Sequence, residues 1–181
     1  MNNIDGVFML LDAGTRKHSY SCYDRAIRYS ATHEDETLLD VLPMAALYHD
    51  IGKIDYLELV TKPAKLTDDE RALINYHPIN SYLICKEYGL TDEICKAILL
   101  HHDPSCLSIK RLIDTHPHIN SSILDGITER DMYLAKYLSM IDITDALLED
   151  RPYKKPMSKS DALIAFTSAF PHESQQFYAI A

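Results

Sequence analysis

The apolar run Met44-Ala45-Ala46-Leu47-Tyr48 ends in His49-Asp50, an imidazole beside a carboxylate. A fold that buries the run carries both polar groups in with it. A buried carboxylate without a partner is costly, so such a group normally faces a cation. Further polar residues stand at the edges of other apolar segments: His18, His77, the pair His101-His102, and Asp142. Five histidines and two aspartates make seven nitrogen and oxygen donors, about what a two-metal centre requires.

The chain of 181 residues suits one domain with a real core. Hydrophobic residues make up 46% and charged residues 25%, ordinary globular values, and no apolar run has the length of a membrane span. The start, Met1-Asn2-Asn3-Ile4-Asp5-Gly6, lacks the basic region and apolar core of an export signal. Cys22, Cys85, Cys95 and Cys106 form no close pair, which reads as reduced, packed thiols in a cytoplasmic protein. A net charge of −9 argues against a nucleic-acid duplex as partner. It leaves room for a small phosphate ester, because two divalent ions make a site locally positive.

The periodic segments read as helices. His18 to Ser30 carries Tyr20, Tyr23, Ala26, Ile27 and Tyr29 at helical spacing. Glu36 to Ile51 is apolar on one face, with Gly52 as its stop. Thr67-Asp68-Asp69-Glu70 spells a capping box that opens a helix towards Asn75. Pro78 favours a helix through Tyr88 ended by Gly89, and Thr91 caps Asp92 to His101. Met132 to Leu148 and Ser160 to Phe170 complete the set, while Asp103 to Ile127, with Pro104, Pro117 and Gly126, reads as the least regular stretch. The expectation is one all-α domain of six or more helices over residues 1–181, with the ligand motifs inside 12–162.

Several stretches extend beyond the ligands themselves. They are Asp12-Ala13-Gly14-Thr15-Arg16-Lys17-His18-Ser19, His49-Asp50-Ile51-Gly52-Lys53-Ile54, and Lys62-Pro63-Ala64-Lys65-Leu66-Thr67 followed by His77-Pro78. The last is Asp142-Ile143-Thr144-Asp145-Ala146-Leu147 leading to Asp150-Arg151-Pro152-Tyr153-Lys154. In this order they resemble the HD superfamily of metal-dependent phosphohydrolases, and within it most closely the HD-GYP cyclic-dinucleotide phosphodiesterases. The resemblance covers most of the chain.

The resemblance implies an HD-type helical bundle holding two divalent ions, iron or manganese. His18, His49 and Asp142 would complete one ion, and His77, His101 and His102 the other, with Asp50 bridging them. Two carboxylate oxygens can span cations about 3.5–4 Å apart with a shared water or hydroxide between them, which suits in-line phosphodiester hydrolysis. Lys53 would direct its ammonium at the same phosphate, while Arg151 and Lys154 would hold a second one. Asp145 reads as an acid that supports a ligand without being one. Asp12 and Thr15 support the first ligand segment or simply cap its helix, and Tyr153 packs or stacks on a base. His33, His116, His118 and His172 match no motif.

The departures from the family are specific. No glycine-tyrosine-proline tripeptide follows His101-His102-Asp103, which runs on into Pro104-Ser105-Cys106-Leu107-Ser108. Gly14 stands where some members place a glutamate for a third metal, so two metals are expected. The function expected is hydrolysis of a cyclic dinucleotide, cyclic di-GMP first. The alternatives are a catalytically weak nucleotide-binding scaffold and an HD-type nucleotidase. The partner is a small nucleotide, with a homodimer or a separate signalling partner left open and no membrane involved.

Overall fold

Thirteen helical segments, and no strand, make up the described parts of the chain. The computed structural model describes residues 3–33, 35–116, 119–150 and 155–181. Helix α1 (Ile4–Phe8) leads to α2 (Ala13–Ser30) and α3 (Glu36–Tyr48), then a 3-10 segment (Ile51–Tyr56) and α4 (Leu57–Val60). Helices α5 (Asp68–Ile74), α6 (His77–Glu87), α7 (Asp92–Leu100) and α8 (Leu107–Thr115) follow. A second 3-10 segment (Ser121–Leu124) precedes α9 (Glu129–Leu148), α10 (Lys159–Ala169) and α11 (Ser174–Ile180). The all-α expectation holds. No helix among the described residues is long and apolar enough to cross a membrane.

Helix ends follow local chemistry. Asp12 caps α2, its carboxylate accepting from the Gly14 and Thr15 amides. The helix therefore begins at Ala13, earlier than the apolar pattern from His18 had indicated. Thr67 and Glu70 satisfy each other's backbone amides in the capping box read from the sequence. Thr128 and Asp131 form a second such box, which starts α9 three residues before the expected Met132. Gly89 has φ +82, the left-handed conformation that ends α6 without the steric cost a side chain would add.

Two apolar clusters hold the bundle. The larger joins α2, α3, α7, α9, α10 and α11 through Tyr29, Leu38, Leu42, Ile98, Leu138, Phe166 and Phe177, all buried. The smaller gathers Ile79, Leu99, Leu100, Cys106, Ile109, Ile123 and Ala135 around α7 and α8. That second cluster revises the reading of Asp103 to Ile127 as mainly irregular. Ile109, Leu112 and Ile113 stand at helical spacing and pack inward, so Pro104 precedes α8 instead of breaking it.

The segment around the doublet also differs from expectation. Helix α3 ends at Tyr48, with His49 as its C-cap, and the chain tightens into the 3-10 segment after Asp50. Gly52 is therefore no helix stop. A Cβ there would meet the Ser81 amide nitrogen, lie 2.5 Å from the His77 carbonyl oxygen and 2.8 Å from Cβ of Asn80. The Gly52 amide donates to Ser81 Oγ at 2.8 Å. Glycine is used here for close approach, and that approach brings His77 up to Asp50.

Candidate metal centre

Three of the histidines use one local device. His49 and His101 cap the C-terminal ends of α3 and α7, and His77 follows the end of α5. Carbonyls in a helix's last turn lack intrahelical partners. The Nδ1 atoms take them three residues back: His49 at 2.8 Å from the Ala46 oxygen, His77 at 2.8 Å from Ile74, His101 at 2.6 Å from Ile98. A carbonyl only accepts, so each Nδ1 carries the proton and each Nε2 is left with its lone pair. These three Nε2 atoms are buried without a hydrogen-bond partner. An orphaned buried acceptor of this kind is what a cation would satisfy.

His18 is held differently, between two carboxylates. Its Nδ1 is 2.6 Å from Asp145 Oδ2 and its Nε2 is 3.0 Å from Asp142 Oδ1. Asp142 and Asp145 are one helical turn apart on α9 and so share a face. Ser21 and Arg25 on α2 also donate to Asp145, with Arg25 Nε at 3.0 Å. Arg25 Nη1 in turn donates to the Ile180 carbonyl at 3.1 Å, tying α11 to the site.

Asp50 lies between two groups of donors. Its Oδ1 is 3.1 Å from His77 Nε2, while its Oδ2 is 3.4 Å from His49 Nε2 and 3.8 Å from His18 Nε2. Donor atoms of His77, His101 and His102 gather within 4.8 Å of one another, and so do those of His18, Cys22, His49 and Asp142. His49, Asp50 and His101 form a third such group that joins the other two. The imidazoles run as a row, with ring centroids 5.2 Å apart for His18–His49, 5.1 Å for His49–His101 and 4.2 Å for His101–His102. His49, Asp50, His77 and His101 are almost wholly buried, whereas His102 is exposed at the rim.

The electrostatics suit a divalent cation. Burial works to raise Asp50, but His49, Lys53 and His77 outweigh it and hold the carboxyl well below the usual carboxylate range. Asp142 is held down in the same way, against burial, by His18 and His49. Burial lowers His49 and His101, with the neighbouring His102 adding to the effect on His101. Burial opposes charge on His18 too, yet Cys22, Asp142 and Asp145 leave it raised. Two ionised acids beside the partnerless Nε2 atoms of His49, His77 and His101 make a donor set of the kind that iron or manganese accepts. The residues present fit such a group.

The structure brings together His18, His49, Asp50, His77, His101, His102 and Asp142, the whole set nominated from the sequence. Lys53 is there as well, its Nζ 2.6 Å from Asp50 Oδ2. A cavity of about 930 Å³ opens beside the cluster, lined by Lys17, His18, Asp50, Lys53, Glu149 and Lys155 among others. A second depression, lined by Ile54, Tyr56 and Leu73, contains none of the donors. Arg151, Lys154 and Tyr153 lie outside the described residues. Asp12 and Thr15 act as a helix cap. His33 and His116 stand apart, bonded to the Tyr29 and Leu112 carbonyls. Sequence reasoning missed Ser21, Cys22 and Arg25, although three, four and seven residues after His18 they share its helical face.

The chain is similar to known proteins. A family model described as the HD domain matches residues 15–150. A Pseudomonas aeruginosa protein named cyclic di-GMP phosphodiesterase PA4108 is 29% identical over 123 residues, 66% of this chain and 27% of its own. The cyclic di-GMP phosphodiesterase response regulator RpfG of Xanthomonas campestris pv. campestris is 31% identical over 132 residues, 71% of this chain and 32% of its own. A probable cyclic di-GMP phosphodiesterase of Vibrio cholerae is 29% identical over 131 residues, 70% and 28% of the two chains. The match thus spans a third or less of each relative's length. No solved structure gives a significant match.

Proposed function

The chain belongs to the HD domain family, and from that premise we propose that it is a metal-dependent phosphodiesterase acting on a cyclic dinucleotide, cyclic di-GMP first. The observation that carries the reading is the division of the Asp50 carboxylate, with Oδ1 towards His77 and Oδ2 towards His49 and His18. In this reading His18, His49, Asp50 and Asp142 would hold one divalent ion, and His77, His101, His102 and Asp50 the other. Iron or manganese is the metal proposed. Such ions, when bound, neutralise phosphodiester oxygens and lower the pKa of water.

The chain's own groups have separable tasks. The carbonyls of Ala46, Ile74 and Ile98 and the Asp145 carboxylate fix the imidazole tautomers, so no ring turns during turnover. Lys53, on the cavity wall beside Asp50, transfers its ammonium from that carboxylate to a phosphate oxygen and stabilises the charge that develops there. Arg151 and Lys154 are proposed to hold the second phosphate. The cavity volume falls in the range of about 300–1,000 Å³ typical of small-molecule sites. The same proposal takes residues 1–181 as one domain and the cytoplasm as the place of action, supported by four free, buried cysteines. A homodimer or a separate signalling partner completes it.

Elemental analysis together with turnover of a chromogenic phosphodiester tests the assignment. Bound iron or manganese with turnover is expected. Bound metal with no turnover of the diester or of cyclic dinucleotides favours a binding module, and turnover of nucleoside monophosphates alone favours a nucleotidase.

A further inference from the structure

Cys22 stands one helical turn after His18 on α2, fully buried, with Sγ 3.6 Å from Nδ1 and 3.8 Å from Nε2 of that histidine. Its sulfur and the donor atoms of His18, His49 and Asp142 all lie within 4.8 Å of one another. The other cysteines are placed differently. Cys95 and Cys106 direct their thiols at the Leu90 and Pro104 carbonyls, and neither they nor Cys85 belongs to a potential ligand group among the described residues. An independent observation points to the same spot. Nε2 of His49 is buried there with no hydrogen-bond partner.

We propose that Cys22 is a sulfur donor to the cation held by His18, His49 and Asp142. The inference rests on the metal-centre reading above and deepens it. Nδ1 of His18 faces Asp145, and its Nε2 faces Asp142, the other donor of this half. Sγ is almost equally far from both ring nitrogens, beside the ring, so coordination requires the thiol to swing about χ1 towards the Nε2 side. Asp142 Oδ1, 3.0 Å from the same Nε2, supplies a further donor. The thiol proton leaves to solvent as the ion binds, and the sulfur enters as thiolate.

The two halves of the centre then differ in kind. The half with His77, His101 and His102 offers nitrogen plus the shared Asp50 oxygen, whereas the half with Cys22 adds a soft donor. Thiolate favours iron, cobalt or zinc over manganese and magnesium. Of the two metals proposed, iron is the one selected at the His18 half.

Cobalt(II) titration into metal-free protein, followed by absorption, tests the inference. Visible d–d bands report cobalt in the site, and a near-ultraviolet sulfur-to-cobalt band reports the thiolate separately. The wild type is expected to develop both. Cys22→Ser should keep the visible bands, lose the ultraviolet one and bind cobalt at least about tenfold more weakly, the scale at which even outer partners of metal ligands act. Cys95→Ser should match the wild type. Visible bands in the wild type without the charge-transfer band would overturn the Cys22 assignment and leave the metal centre standing. No cobalt spectrum at all would overturn both.

Discussion

Asp145 Oδ2 lies 2.6 Å from His18 Nδ1, so a fully buried carboxylate fixes which imidazole nitrogen faces the cation site. Its other oxygen accepts from Arg25 at 3.0 Å. Replacing it as Asp145→Asn keeps the shape but removes the charge that holds the Nδ1 proton. Metal affinity should fall about 10–100-fold, the usual effect of losing an outer partner of a ligand. Stability should fall as well, because Arg25 is then buried beside a neutral amide, and breaking a buried pair costs about 3–5 kcal/mol. Isothermal titration with manganese and urea unfolding check the two effects, and wild-type metal affinity in the variant would contradict the role given to Asp145.

Asp50→Ala should strip most bound metal, since both halves of the centre lose a donor in one step. His33→Ala is the control. His33 bonds the Tyr29 carbonyl and stacks 4.2 Å from the Tyr29 ring, away from the cluster, so metal content should not change. Elemental analysis of reconstituted proteins checks the pair, and equal metal in Asp50→Ala and wild type would refute the bridge.

Lys53→Ala separates rate from binding. Its ammonium pairs with Asp50 and lines the cavity, so its loss should lower turnover by about 10²–10³, a typical effect for one electrostatic donor. Metal content should stay near normal. Unchanged turnover at equal metal occupancy would make Lys53 a bystander.

Gly52→Ala should destabilise the fold by about 1–3 kcal/mol, the range for overpacking a tight contact. The added methyl meets backbone of α6 at His77 and Ser81, so the 3-10 segment must move away and take Asp50 from His77. Gly6→Ala, with open space around it, should be close to neutral apart from helix propensity. Denaturant midpoints and metal content of the two variants decide the matter.

The sequence was most legible where one residue carries one instruction. The Thr67–Glu70 box, Pro78, Gly89 and Thr91 all mark helix ends where expected. The ligand cluster was legible because His49, His77 and His101 stand at helix ends, whereas His18 and Asp142, which lie inside α2 and α9, were legible through the order of the motifs. What escaped was short or tertiary. Helices α1 and α11 have too few residues to show a period. Gly52 looked like a stop because its reason, the passing backbone of α6, lies 29 residues away at Ser81. Cys22 looked like a core thiol because thiols commonly pack, and only its spacing from His18 hinted otherwise.

The most direct test of the proposed chemistry is product analysis after fully iron- or manganese-loaded protein meets a panel of cyclic and linear dinucleotides and nucleoside monophosphates. The segment after His101-His102 folds into a loop and α8 where the family's tripeptide would stand, so substrate preference is expected to shift before hydrolysis is lost. Metal-dependent cleavage of a cyclic dinucleotide is expected, with cyclic di-GMP giving the largest specificity constant and Asp50→Ala giving no product. Intact cyclic dinucleotides after incubation with protein shown to hold its metal would contradict it.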